Sequence, residues 1–442
     1  MSGQRTDLSW LAIVLGIPAV LLATVSYIWH WEWLAQLASL VAVMSMMLVV
    51  SMRESSKHFL FTIWVLVVVA WALAFPTSCS EVAGIPLNTP WIRLIVIQLV
   101  MFGMGTQMSL SDLAGVLRMP YGVAVGLICQ FTIMPLVGWG LAKSFMLPAE
   151  IGAGIILVGA CSSGLASNVM VFLAKGNIAL SVTLTACATL LAPLLTPLWV
   201  RILAGEVVEA SLLKMVQDTS KIVIVPLVAS FLADFMHQTS AVNRKRITWL
   251  GSVCFLSHLT LSFGGLWSWL ESIAPNAYSW SVLVGFLLAA VAAGTAYYWL
   301  QMALPFVRQL MPKLSMAGIL YFIAITTASG RESLLSLGWL LLLAAILHNV
   351  LGYILGYGLS RLFGLNRCDA RTVAFEVGLQ NGGLAVSLAD ALGKLHTMGL
   401  AGVVFSPWMN FSGSLLANYW GSRSKTNAKH EELTPADVAQ QP

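Results

Sequence analysis

Val373-Ala374-Phe375-Glu376-Val377-Gly378-Leu379-Gln380-Asn381-Gly382-Gly383-Leu384-Ala385 places a carboxylate in the middle of an apolar segment. Long apolar stretches flank it, so the segment is expected at membrane depth. A charge there costs on the order of 3 kcal/mol or more unless something compensates it. The three glycines and the Gln380-Asn381 pair also argue against a continuous helix. Irregular backbone survives at that depth only where it is buried in protein or lines a cavity. A buried acid beside freed carbonyls and amides is what a cation-coupled transporter needs.

Composition agrees. Of 442 residues, 58% are hydrophobic and 9% charged, against roughly 25% charged in a soluble domain. The chain is therefore read as an all-α polytopic membrane protein whose surroundings are the lipid bilayer. The net charge of +5 comes from residues scattered in short loops, so no nucleic-acid partner is expected. The six cysteines (Cys79, Cys129, Cys161, Cys187, Cys254 and Cys368) contain no CxxC pair, and neither a disulfide nor a transition metal is expected.

Apolar runs between short polar breaks predict about fourteen spans, near 9–28, 33–51, 59–76, 91–108, 121–143, 150–173, 179–203, 216–237, 248–270, 280–304, 314–329, 336–360, 372–391 and 398–418. The first run lacks a cleavage signal and is read as a retained span. The polar tail, 422–442, is expected to be disordered. One set of loops collects Arg53, Lys57, Arg118, Lys175, the Arg244-Lys245-Arg246 run, Arg308, Lys313, Arg361, Arg367 and Arg371. The opposite set is poorer, with Lys143, Arg201, Lys214, Arg331 and Lys394. This alternation places both termini in the cytoplasm. The run Trp29-His30-Trp31-Glu32-Trp33 reads as an interfacial belt rather than a ligand set.

A second break, Cys161-Ser162-Ser163-Gly164-Leu165-Ala166-Ser167-Asn168, interrupts an apolar span in the other half of the chain. Taken alone, such small residues serve equally well at a helix–helix contact. Interrupted spans in both halves point instead to a transporter's binding site. Ser181 and Thr185 are four apart and share one helix face. Glu376 and Gln380 have the same spacing, and would share a face if the helix continued. Gln130 adds an amide oxygen within 121–143. Carboxylate, amide, hydroxyl and carbonyl oxygens are the ligands of hard cations. Each hydroxyl singly is also suited to bonding the preceding helical turn.

Five stretches carry a resemblance to the bile acid:sodium symporter family. They are Met101-Phe102-Gly103-Met104-Gly105, Gln130-Phe131-Thr132-Ile133-Met134-Pro135, Ser167-Asn168-Val169-Met170, Glu376-Val377-Gly378-Leu379-Gln380-Asn381 and Asn410-Phe411-Ser412-Gly413-Ser414. The resemblance implies two inverted five-helix repeats, a panel and a core domain, and two crossing discontinuous helices beside two sodium sites. Carried over by motif, one Na⁺ would use Ser167, Asn168, Ser181, Thr185 and Glu376. The other would use Gln130, Glu376, Gln380 and the carbonyls of Val377 and Leu379. Asn381 and Asn410 match positions associated with substrate contact, and Met409 and Leu165 replace more polar residues there. Ser162-Ser163-Gly164 stands where the family often has Pro-Gly-Gly.

The symporter fold would occupy 59–421, with two extra spans at 1–58 and two inserted at about 248–304. Coming in pairs, the additions preserve the orientation of everything downstream. They are expected at the periphery, where a homodimer contact is one use for them. The resemblance implies a sodium-coupled symporter importing a small organic anion (bile-acid-like, pantoate-like or a 2-oxo acid) across a bacterial inner membrane. Proton coupling through Glu376 and a non-transporting receptor or sensor are the alternatives. An enzyme is not expected, since neither a His-Glu-x-x-His nor a Gly-x-Ser-x-Gly motif is present.

Overall fold

A computed structural model of the chain describes residues 60–432 apart from 83–84, 206, 209, 264–268 and 270–271, together with Val41 and Ser45. The two spans expected within 1–58 lie outside the described residues. Among these, the fold is helical except for a two-residue strand pair, β1 (Glu81–Val82) with β2 (Ile85–Pro86). In order, the helices begin with α1 (Leu60–Ala74), α2 (Pro76–Ser80), α3 (Pro90–Gly105), α4 (Leu110–Arg118) and α5 (Pro120–Ser144). They continue with α6 (Ala149–Ala160), α7 (Ala166–Leu173), α8 (Ile178–Ala204), α9 (Leu212–Gln238), α10 (Ala241–Phe263) and α11 (Pro275–Ala303). The last five are α12 (Phe306–Ser329), α13 (Arg331–Leu362), α14 (Arg367–Gly378), α15 (Gly382–Ala391) and α16 (Gly399–Glu432).

A helix or a broken helix pair stands at each of the twelve positions expected beyond residue 59. Seven of the described helices are individually long and apolar enough to cross a membrane, or eight with the bent pair α3–α4 taken as one. Fourteen were expected: breaks divide two of the crossings into pieces of twelve residues or fewer, α1 and α10 are too short or too polar to count, and two of the fourteen fall before residue 59. Large apolar side chains on the outer faces, such as Ile95, Ile128, Trp339 and Ile354, are more than half exposed. Water would penalise that surface and lipid would not.

Two elements differ from the sequence reading. The amphipathic α4 bends 52° from α3 and starts at a capping box, with Ser109 and Asp112 serving each other's backbone. The final helix continues to Glu432 rather than ending near 421. Residues 433–442 of the expected tail lie outside the described residues.

The main apolar core draws Met134, Leu157, Phe322, Phe375 and Phe405 from α5, α6, α12, α14 and α16. Close helix approach depends on particular glycines. A Cβ at Gly159 would lie 2.4 Å from the carbonyl oxygen of Met134, and one at Gly378 would lie 2.3 Å from the Tyr353 ring. The inserted pair, α10 and α11, packs together, with Trp299 Nε1 donating to Thr248 Oγ1 at 3.1 Å. Smaller apolar clusters join α11 to α9 and α12.

Two of the loop charges expected on the poorer side, Lys394 and Arg331, lie at one end of the bundle. Lys394 pairs with Glu150 at the start of α6, and Arg331 donates to the Leu73 carbonyl at the end of α1, 2.9 Å away. At the same end, Arg93 of α3 reaches both carboxylate oxygens of Asp390 on α15, at 2.8 and 3.0 Å.

Candidate functional site

The two broken helices meet at their breaks. Ser163 and Gln380 form an isolated antiparallel bridge, with Gly164 N donating to Leu379 O at 3.2 Å and Asn381 N to Ser162 O at 2.8 Å. Breaking a helix at membrane depth frees carbonyls that must find partners elsewhere. Thr196 Oγ1 donates to Ala160 O at 2.7 Å, Gln130 Nε2 to Cys161 O at 3.0 Å and Ser167 Oγ to Gly164 O at 2.8 Å. On the other side, Gln380 Nε2 donates to Val377 O at 2.6 Å and Asn349 Nδ2 to Gly378 O at 2.8 Å. Ser412 Oγ in turn holds Asn349 Oδ1 at 2.6 Å. Asn381 caps α15, its Oδ1 accepting from Leu384 N at 3.0 Å, a contact worth about 1 kcal/mol.

Glu376 lies in the last turn of α14 and is 2% exposed. Four hydroxyls surround its carboxylate. Ser167 and Ser181 approach Oε1 at 2.7 and 2.5 Å. Ser163 and Thr185 approach Oε2 at 2.5 and 2.9 Å. Ser181 and Thr185 do share one face of α8, and that face is turned to the crossing. Asn168, half-buried at the edge of the group, places Oδ1 2.7 Å from Ser181 Oγ and 3.4 Å from Thr185 Oγ1.

This cluster is short of hydrogens. Each hydroxyl carries one, and an ionised carboxylate carries none. If all four hydroxyls donate to Glu376, the contacts of Ser181 with Asn168 and of Ser167 with Gly164 O have no hydrogen between their oxygens. A cation among these oxygens, a proton on Glu376 or an Asn168 amide turned to present its N–H would each relieve oxygen pairs at 2.7–2.8 Å. The all-oxygen donor set fits a hard monovalent cation. Among the described residues, no group of three or more His, Cys, Asp or Glu could hold a metal instead.

The other expected set is assembled differently. Gln130 Nε2 donates to Gln380 Oε1 at 2.9 Å, and Gln380 is tied back to Val377 O. Leu379 O accepts one hydrogen bond in the bridge. Both oxygens of Glu376 face the hydroxyls, so this carboxylate serves the first cluster. The face expected to be shared by Glu376 and Gln380 does not exist, because α14 ends at Gly378 and Leu379 is extended. Gln130 Oε1 is buried without a hydrogen-bond partner.

Of the residues expected at the substrate, Asn381 precedes Gly382, on which a Cβ would come within 2.1 Å of Ser406 Oγ, and Asn410 lies one turn beyond Ser406 on α16. Asn410 Nδ2 donates to Ser406 O at 2.8 Å, and Asn381 Nδ2 faces Met104 Sδ at 3.9 Å. Met409 is buried beside Asn410 on α16, and Leu165 stands half-buried at the start of α7.

Ser163, Thr196, Asn349 and Ser412 were not found from the sequence as members of this site. Ser163 sat in the second break, where its hydroxyl was the available signal. For the others, no local pattern announces a partner far along the chain.

Sequence comparison supplies the relationship. A profile of the Sodium Bile acid symporter family matches residues 94–266. An uncharacterized sodium-dependent transporter of Bacillus subtilis is 33% identical over 83% of this chain and 92% of its own length. The chain belongs to the sodium/bile acid symporter family. A probable chloroplastic sodium/metabolite cotransporter of rice is 30% identical over 82% of this chain and 72% of its own. The human ileal sodium/bile acid cotransporter is 25% identical over 81% of this chain and 86% of its own. Family membership gives the broken helices and the buried carboxylate a common setting, that of a sodium-dependent membrane transporter family.

Proposed function

We propose that the chain imports a small organic anion by secondary active transport coupled to sodium. The observation that carries this reading is the hydrogen-poor cage of hydroxyl and amide oxygens around the buried Glu376 carboxylate. One Na⁺ sits among Ser167, Asn168, Ser181, Thr185 and Glu376. A second uses Gln130, Gln380 and the Val377 and Leu379 carbonyls, with Glu376 as the nearby counter-charge. Asn381 and Asn410 contact the anion, and Leu165 and Met409 make that part of the cavity less polar than in some relatives. Relatives named as sodium-dependent transporters and sodium cotransporters favour Na⁺ over a proton as the coupling ion.

Both broken pairs count as single crossings, which with α1, α10 and the two spans before residue 59 restores the fourteen. Two inverted repeats build a panel and a core domain, and rocking of one against the other alternates access. The two added helix pairs are peripheral, and both termini are cytoplasmic. Two Na⁺ with a monoanion move one net charge, worth about 2.3 kcal/mol per 100 mV. A tenfold sodium gradient adds roughly 1.4 kcal/mol per ion, giving about 5 kcal/mol and several-thousandfold accumulation.

The test is a thermal-shift screen of organic anions on the purified chain, with and without sodium. Stabilisation by one acid only when Na⁺ is present is expected. Stabilisation that ignores sodium and follows pH would turn the assignment to proton coupling.

A further inference from the structure

We infer that Ser163 is a sixth oxygen ligand of the cation at Glu376, added by this chain to the five residues that its family resemblance implies. The inference rests on the sodium reading above. Ser163 is fixed from both sides. Its backbone belongs to the bridge with Gln380, and its side chain is 1% exposed with Oγ 2.5 Å from Glu376 Oε2. A hydroxyl donating its one hydrogen to that carboxylate keeps lone pairs free for a cation.

The spacing of the oxygens supports a shell. Two ligands at right angles, each about 2.4 Å from a hard cation, lie about 3.4 Å apart. Thr185 Oγ1 stands 3.4 Å from Asn168 Oδ1 and 3.5 Å from Ser167 Oγ, both members of the expected set. It stands 3.4 Å from Ser163 Oγ as well. These separations are long for O–H···O bonds and match adjacent corners of one coordination shell, whereas the hydroxyl–carboxylate contacts at 2.5–2.9 Å are hydrogen bonds that a bound cation would have to open. Ser163 therefore occupies a corner equivalent to those of two expected ligands.

A glycine in this turn would leave that corner to water or leave it empty. With Ser163 present, the protein alone supplies six oxygens: Ser163, Ser167, Asn168, Ser181, Thr185 and Glu376. A cage closed by side chains on four segments holds a dehydrated ion of fixed size. Ser163 thus contributes to ion choice as well as affinity.

The experiment uses the full-length protein in detergent, following its melting temperature against NaCl and against LiCl at constant ionic strength. Wild type is compared with Ser163→Ala, Ser163→Gly and Ser163→Thr. Loss of the hydroxyl should raise the half-stabilising sodium concentration by about tenfold, while Ser163→Thr stays within about threefold of wild type. The Li⁺-to-Na⁺ preference should change in the Ala and Gly variants. If Ala does not fold, Gly, the residue type common in this turn of the family, decides the matter. Wild-type sodium midpoints in the folded Ala or Gly variant would overturn the inference and leave sodium coupling standing. Equal weakening for both ions, with their ratio unchanged, would reduce Ser163 to orienting Glu376 and also overturn it. A wild-type protein indifferent to sodium would remove the sodium reading itself, and this inference with it.

Discussion

The two oxygen clusters at the crossing are built from the same pair of broken helices, yet they stand in different states. Around Glu376, hydroxyls from α7, α8 and the 161–168 break crowd one carboxylate. Around Gln130 and Gln380, two neutral amides bond to each other and to the Cys161 and Val377 carbonyls, leaving one oxygen over. On the proposed function, the first cluster is the one shaped for a cation. The second is largely satisfied by itself, with Gln380 Nε2 already bonded to the Val377 carbonyl. A crossing of two breaks thus creates two kinds of polar site, and the one holding the charge is preorganised. On the proposed function, sodium fills the hydroxyl cage first.

The severest way to break this comparison is Glu376→Gln, which keeps size and removes charge. Sodium-driven uptake into proteoliposomes should fall by at least about a hundredfold, with the sodium-free melting temperature close to that of the wild type. Uptake that keeps its full sodium dependence would deny the carboxylate any role. Next in size is Ser181→Ala, which takes one hydroxyl from the cage and should raise half-saturating sodium about tenfold in a melting titration. An unchanged midpoint would mean that α8 holds Glu376 in place without touching the ion.

Gln130→Leu probes the other cluster. A shift of about threefold in half-saturating sodium is expected, with the sodium dependence of uptake changing from sigmoidal to hyperbolic. A curve still sigmoidal would remove the amide pair from ion binding. Asp390→Asn gauges a charge outside both clusters. Because the Arg93–Asp390 pair is partly exposed, about a twofold change in initial uptake rate is expected, with sodium affinity unaltered. A larger effect on sodium affinity would show that the far end of α15 governs the cage.

Much of this was legible before any coordinates. Glu376 stood out because a charge in an apolar run demands compensation, and the 161–168 break stood out because small polar residues interrupted a span. Ser181 and Thr185 could be paired because an α-helix repeats every 3.6 residues and α8 is unbroken. The same rule failed for Glu376 and Gln380, since it holds only while the helix lasts, and α14 ends at Gly378. Helix α4 was missed because nine residues with a polar face carry little hydropathy signal, though its Ser109-x-x-Asp112 cap was readable.

By itself, the sequence determined a membrane protein with two broken crossings and a buried acid, because hydropathy, helical period and the cost of burying charge are local properties. Only the tertiary structure decided that Ser163 joins the cage, that Gln130 and Gln380 face each other, and that Asn349 satisfies the Gly378 carbonyl. Those contacts join residues up to 250 positions apart. They follow from how two interrupted helices dock so that freed carbonyls such as those of Ala160, Cys161 and Gly378 find donors, a requirement no local stretch of chain can meet on its own.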